Sequence, residues 1–351
     1  KCLQLIKDLS CDALLLLNES NMHYLCGFSP SEGVVLLLKN GNSYHIVDSR
    51  YTEAAENYAK ETGLSVIEAA SKFSDTVTEL CKKNSVKAIA YENETITLKS
   101  FNIFKEATQC AFIGIDDRLM KIRNVKSEEE IDLMIQANDI AEKSFIELLN
   151  FVKAGKSEKE LQAHFDYLMA KNGSDGLSFS TILLSGAHTS LPHGVPSDKS
   201  IERGDFVLFD FGATYKGYHS DMTRTIAVES ATDEMKEMYS LVLKAQLAGI
   251  SALKSGIRCA DVYQAAYNVL EEQKMGKYFR HSLGHGVGLD IHEGYSSSPK
   301  SKDVFETGNV TSVEPGIYIP DKFGIRIEDV CIVTENGCRN ISTVDKNLLI
   351  I

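Results

Sequence analysis

The sequence predicts an α/β domain followed by a longer α+β domain. Three observations carry that prediction. As far as residue 122, short apolar runs alternate with stretches whose apolar residues recur at three- and four-residue spacing. Ser127, with Glu130 three residues later, then forms a capping box that opens a long helix. Beyond it the chain reads as helix pair, hairpin, helix pair, hairpin, an approximate duplication rather than a fixed-period repeat. The boundary divides 1–122 from 123–351.

In the first part, 13–17, 33–38, 44–47 and 88–91 read as strands, and 52–62 and 73–84 as helices. The DSRY at 48–51 marks a strand end running into a helix start. In the second part, helices are expected over 131–152 and 157–171, separated by Gly155 and Lys156. Two more lie between Asp233 and Lys274, broken at Ser255 and Gly256. Strands and glycine-rich turns begin near Ser178 and fill the remainder.

Composition narrows the function classes. The net charge of −12, with no lysine or arginine block, argues against nucleic acid or an anionic membrane as partner. The longest apolar runs are strand-sized, and no signal peptide is visible in a chain that starts at Lys1. The eight cysteines form no CxxC pair, so they read as small buried hydrophobes in a reducing compartment, and a cytoplasmic location is expected.

Chemistry concentrates in the two hairpins. In the first, a two-residue turn at Lys216 and Gly217 puts Tyr215 opposite Tyr218 and Asp210 opposite Thr223. Asp210 and Asp221 then share a face as diagonal neighbours. Carboxylates so placed repel each other unless a positive charge sits between them. In the second hairpin, a five-residue loop over 320–324 sets Ile319 opposite Ile325, and makes Glu314 and Glu328 diagonal neighbours in the same way. His285, in the glycine-flanked GHGVG, adds an imidazole in a segment that Gly284, Gly286 and Gly288 keep from being helical.

Each piece alone has a bland explanation. An acid pair is usually a solvated edge, a single histidine usually a core or surface residue, and EPG a common turn. Their conjunction points to a metal centre. Four carboxylates and one imidazole suit a pair of hard or borderline divalent cations, which together can activate a water and polarise a carbonyl.

The chain resembles the Xaa-Pro peptidases, the aminopeptidase P and prolidase branch of the pita-bread metallopeptidases. The resemblance runs through LPHG (191–194), DFGATYKGYHSDMTRT (210–225), HSLGHGVGLDIHE (281–293), VEPGIYIP (313–320) and GIRIED (324–329). It extends to the non-catalytic N-terminal domain of that family at NMHYLCGF (21–28) and DSRY. It implies a creatinase-like domain over 1–122 and a pita-bread catalytic domain over 123–351. The implied metal ligands are Asp210, Asp221, His285, Glu314 and Glu328, holding two ions of manganese, or else cobalt or zinc. Glu314 would also be general base and proton shuttle. His193 and His292 would meet the substrate carbonyl, His281 and Arg326 would line the substrate site, and Phe179 would wall the proline ring. The substrates implied are proline-containing peptides, and the assembly a homodimer. His164, His188 and His219 are expected to be surface or structural residues.

One departure bears on substrate. Prolidases carry an arginine that grips a free C-terminal carboxylate, shortly after the HE pair. Tyr295 and Ser296 stand there in HEGYSSSPK, with Lys300 as the nearby cation. The expectation is therefore an aminopeptidase releasing the residue before proline, with a strict Xaa-Pro dipeptidase as the alternative. Creatinase-like hydrolysis and a non-catalytic binding protein fit less well, since all five ligand positions are filled. The extra N-terminal domain disfavours a methionine aminopeptidase.

Overall fold

The computed structural model describes the chain over 1–351, apart from the side chains of residues 61 and 62. It divides into two compact units, Lys1–Arg123 and Asn124–Ile351.

The first unit contains α1 (Cys2–Asp8), β1 (Ala13–Leu16), α2 (Glu19–Cys26), β2 (Gly33–Leu38), β3 (Ser43–Val47), α3 (Thr52–Thr62), β4 (Ser65–Glu68), α4 (Phe73–Lys83), β5 (Ala88–Tyr91), α5 (Leu98–Thr108), β6 (Ala111–Gly114) and α6 (Arg118–Asn124). The strands form one mixed sheet in the order β4-β3-β2-β1-β5-β6. Every residue of β1 is buried, as expected of a central strand covered on both faces. That is why Ala13, Leu14, Leu15 and Leu16 are a continuous apolar run rather than an alternation. DSRY is the connection between β3 and α3, where the Arg50 side chain donates to Asp48 at 2.7 Å.

The second unit opens on α7 (Glu128–Leu148) and α8 (Glu158–Lys171), each started by a complete capping box, Ser127 with Glu130 and Ser157 with Glu160. Helix α7 ends earlier than its apolar spacing predicts. Residues 149–152 leave it in turns, with Phe151 N–H donating to the Leu148 carbonyl, and this buries Val152. There follow β7 (Gly176–Leu177), β8 (Ile182–Ser185), β9 (Phe206–Phe211), β10 (Ala213–Tyr215), β11 (Tyr218–His219) and β12 (Met222–Ala227). The second half repeats the plan with α9 (Asp233–Ala252), α10 (Cys259–Glu272), β13 (His285–Gly286), β14 (Glu293–Ser296), β15 (Val310–Val313), β16 (Gly316–Ile319), β17 (Phe323–Arg326), β18 (Asp329–Val333) and β19 (Cys338–Asn340). Among the described residues no helix is long and apolar enough to cross a membrane.

Each hairpin is broken midway and passes from one sheet to another. In the first, β9 and β12 pair in a sheet ordered β12-β9-β8, while β10 and β11 belong to β11-β10-β7. The register is the expected one, with Tyr215 opposite Tyr218 and Thr223 opposite Asp210. Lys216 and Gly217 both have positive φ, +46° and +81°, as a two-residue hairpin turn requires. The break, which strand patterning did not reveal, falls at Gly212. A side chain there would meet the Ser220 carbonyl at 2.0 Å, and the Ser178 hydroxyl bonds the Ala213 and Ser220 carbonyls alongside the backbone bond from Ser220 N–H to the Ala213 carbonyl.

The second hairpin corrects the expected register. Ile319 pairs with Phe323, not Ile325, and the outer strands pair Val313 with Asp329. The turn is made by Pro320 and by Asp321, at φ +60°, with Lys322 N–H donating to the Ile319 carbonyl. Gly324, read from sequence as part of the loop, lies inside β17, where a Cβ would meet the Thr189 carbonyl at 2.0 Å. Closing the turn two residues earlier makes Glu314 and Glu328 direct opposites instead of diagonal neighbours; they still share a face.

The core of this unit lies where the helix pairs cover the sheets. Phe145 of α7 stacks on Phe211 of β9 at 5.3 Å and meets Phe209 edge-on. The backbone approach at Gly324 leaves no room for relaxation. Replacing Gly324→Ala should destabilise the protein by ~2 kcal/mol or more, read as a lowered midpoint in thermal or urea unfolding; an unchanged midpoint would refute the close packing.

Candidate metal centre

The acidic residues sit at the hairpin breaks. Asp210 is near the end of β9 and Asp221 lies just before β12; Glu314 falls between β15 and β16, and Glu328 between β17 and β18. The two hairpins are joined edge to edge. Glu328 N–H donates to the Thr223 carbonyl at 3.1 Å, and the Thr225 hydroxyl bonds the Arg326 carbonyl at 3.0 Å. This joint brings both acid pairs to one cavity of about 630 Å³. Phe179, His193, Asp210, Asp221, His281, His285, His292, Glu314, Arg326 and Glu328 all line it, so every expected site residue reaches the same space.

The donor atoms converge. One donor atom each from Asp221, His285 and Glu328 lie within 4.8 Å of one another. His285 Nε2 is 3.4 Å from Asp221 and 3.5 Å from Glu314. Its Nδ1 faces the Gly286 carbonyl at 3.1 Å; donating there leaves the Nε2 lone pair directed at the acids, the tautomer a metal ligand needs.

Charge in this cluster is unsatisfied by the protein alone. Burial, then the charges of Glu328, Asp210 and Glu314, push the Asp221 carboxyl well above its ordinary range. Glu314 is raised by burial and by Glu328, and Glu328 is pushed up to about 8 by burial and then by Asp210. Burial draws His285 down to about 4, with the nearby His292 adding to the effect. Asp210 Oδ1 is buried and has no hydrogen-bond partner among the described residues. Buried acids crowded beside a neutral imidazole and an unpartnered carboxylate oxygen fit divalent cations.

Arg326 is the counter-charge the protein supplies. Its Nη2 pairs with Asp210, its Nε donates to the Thr223 hydroxyl at 3.0 Å, and its Nη1 donates to Tyr318 at 2.7 Å. Tyr318 lies 2.9 Å from His281 Nε2, and His281 Nδ1 lies 2.7 Å from the Ser282 carbonyl. Arg326 and His281 therefore line the cavity with their polar atoms already engaged. His193 and His292 are exposed into it, and His292 packs edge-on against His285 at 4.2 Å.

Sequence reasoning missed the supporting shell. The Thr223 hydroxyl donates to Glu328 at 2.6 Å while accepting from Arg326. Ser312 lies 3.3 Å from Glu314, and Tyr318 links Arg326 to His281. Thr223 was the findable one, since it stands opposite Asp210 in the predicted register. Behind His292, Glu293 and Lys126 form a buried ion pair at 2.6 Å. Of the histidines expected to be structural, His188 bonds Glu158, His219 lies 3.4 Å from Thr214, and His164 packs on Phe151.

Two broken hairpins that converge four carboxylates and an imidazole beneath two helix pairs define a metallopeptidase of the pita-bread fold. The model of metallopeptidase family M24 matches residues 132–335, and that of the creatinase/prolidase N-terminal domain matches residues 1–125. The Xaa-Pro dipeptidase from Bacillus anthracis superposes with a TM-score of 0.94 at 39% identity, covering 99% of this chain and 97% of that one. The X-Pro aminopeptidase from Thermotoga maritima does so with a TM-score of 0.94 at 37% identity, covering 99% and 100%. The Xaa-Pro dipeptidase of Pyrococcus horikoshii is 36% identical over 350 residues, 99% of this chain and 97% of the relative. The chain belongs to metallopeptidase family M24 and, within it, to the Xaa-Pro peptidases.

Groups that hold a carboxylate in place, as the Thr223 hydroxyl holds Glu328, set how tightly a cation is bound. Thr223→Val keeps the shape and removes both hydrogen bonds, and should weaken binding of a divalent cation, with manganese as the probe, about 10- to 100-fold in isothermal titration of the metal-stripped protein. Unaltered affinity would reduce Thr223 to a packing residue.

Proposed function

We propose that this enzyme hydrolyses the Xaa-Pro bond of dipeptides, using two divalent cations held by Asp210, Asp221, His285, Glu314 and Glu328, with manganese as the native metal. The observation that carries the proposal is the convergence of these five side chains with His193 and His292 in one cavity. Bound there, the cations would supply Lewis-acid polarisation of the scissile carbonyl and a nucleophilic water at neutral pH. Glu314 takes the proton of that water and returns it to the proline nitrogen, which must pyramidalise and be protonated to leave. His193 and His292 donate to the carbonyl oxygen as charge develops on it. Phe179, beside Pro192, Ile182 and Ile291, gives the proline ring an apolar wall. The N-terminal domain over 1–122 takes no part in the chemistry and assists assembly of a cytoplasmic homodimer; residues 123–351 form the catalytic domain.

The dipeptide preference departs from the aminopeptidase expectation. It is supported by the relatives from Pyrococcus horikoshii and Bacillus anthracis, both named Xaa-Pro dipeptidases. Release of the first residue from longer peptides is the second reading. It is favoured by Ser296, which lines the cavity where prolidases place an arginine, and by the engagement of Arg326 with Asp210.

Manganese-loaded protein given Ala-Pro and Ala-Pro-Ala separates the two. The expected result is faster cleavage of Ala-Pro, with kcat lowered about 10²- to 10⁴-fold by Glu314→Gln. Cleavage of the tripeptide with an inert dipeptide would reinstate the aminopeptidase. Inertness of both, with metal bound, would sink the proposal.

A further inference from the structure

We infer that Glu158, a residue outside the cavity, is the positioning residue for His193. Glu158 is the first residue of α8 and is fully buried. Its carboxylate is enclosed by donors from a single loop. Oε1 accepts from Ser185 N–H at 2.7 Å and lies 3.1 Å from the Ser185 hydroxyl. Oε2 accepts from Ser197 N–H at 2.9 Å and from the Ser197 hydroxyl at 2.8 Å. His188 Nδ1 lies 3.0 Å from one oxygen and 2.9 Å from the other. A buried carboxylate is tolerated only when its lone pairs are met, and here the same loop meets all of them.

The arrangement is a clasp. Ser185 ends β8, and Ser197 lies where the chain returns to α8, with Lys159 N–H donating to the Ser197 carbonyl at 3.1 Å. One oxygen therefore holds the outgoing limb of the loop and the other holds the returning limb. Between them the chain makes a 3₁₀ turn (Gly186–Ser190) and delivers Pro192 and His193 to the cavity. The loop tip is steadied at Thr189, whose hydroxyl accepts from Gly324 N–H at 2.7 Å, and at the Pro192 carbonyl, 3.4 Å from Arg326. The His193 ring is exposed, and no hydrogen bond to it is found among the described residues. Its place over the cavity is thus set by the loop backbone, and the loop ends are set by Glu158. Small misplacement of a group acting on the carbonyl oxygen is costly, because that interaction matters only at the transition-state geometry.

The inference rests on the role of His193 in the proposed function, and a double-mutant cycle keeps the two apart. Glu158→Gln keeps the shape but turns an NH₂ group toward donors at one end of the loop. In the full-length, manganese-loaded protein, it should lower kcat on Ala-Pro about 10- to 100-fold, with KM changed no more than about twofold. In a His193→Ala background the same substitution should add no more than about a twofold loss, since there is no imidazole left to misplace. Amide exchange of residues 186–197 should quicken while that of β9 and β12 stays as in the parent. Should Glu158→Gln fail to fold, Ser197→Ala removes one donor and leaves the carboxylate, and should act in the same direction to a smaller extent. An unchanged kcat, or an equal loss in both backgrounds, overturns the inference. A fully active His193→Ala single variant overturns the role of His193 itself, and is recognisable because it leaves Glu158 untouched.

Discussion

The second unit is built around the mutual repulsion of acids that its fold forces together. Asp221 and Glu328 are buried, and Glu314 and Asp210 nearly so, around one imidazole that burial keeps neutral. Against them the protein sets one fully buried guanidinium, that of Arg326, held from three sides by Asp210, Thr223 and Tyr318. Removing one partner of such a buried set leaves an uncompensated charge, which costs more than the pair itself contributes. The guanidinium ties Tyr318 to Asp210, and through the Thr223 hydroxyl it reaches the group that holds Glu328.

Strand alternation separates this strained face from a satisfied one. Glu328 lines the cavity and Thr223 bonds it from the same side; their neighbours Arg224 and Asp329 turn the other way and form a buried pair at 2.7 Å. Asp329 is met by Gln246, Lys346 and Asn340 as well, and its carboxyl is held below the ordinary range despite burial, by Arg224 and Lys346. The two faces obey one electrostatic rule with opposite outcomes. Behind the cavity the buried charges find partners within the chain; inside it Arg326 meets only part of the acid charge, and the rest calls for cations from outside. A site that binds cations has to be left short of positive charge, at some cost to stability.

Much of this was legible because hairpin chemistry is local. Lys216 and Gly217 specify a two-residue turn, and the turn specifies which residues oppose one another, so Asp210, Asp221 and Thr223 could be placed before any fold was known. The second hairpin misled for a physical reason. Gly324 looks like a turn residue, yet it is required where β17 passes against the Thr189 carbonyl, and that contact is remote in sequence. The error moved Glu314 relative to Glu328 by two residues, which leaves both on the same face, so the acid cluster survived it. Tyr318, Ser312 and Glu158 carried no comparable signal, because each acts on a segment that only folding brings near.

The sequence by itself determined four strands and two helices of the first unit, the helix pairs and hairpins of the second, the faces on which the acids lie and the family likeness, since periodicity, turn chemistry and short motifs are properties of neighbouring residues; it left α1, α2, β4, α5, β6 and α6 unread. Tertiary structure decided the rest. It broke each hairpin so that four carboxylates meet in one cavity, engaged Arg326 with Asp210, and closed Glu158 on both ends of the His193 loop. Those outcomes depend on close backbone approach and on the burial of charge, and neither is a property of any stretch of chain taken alone.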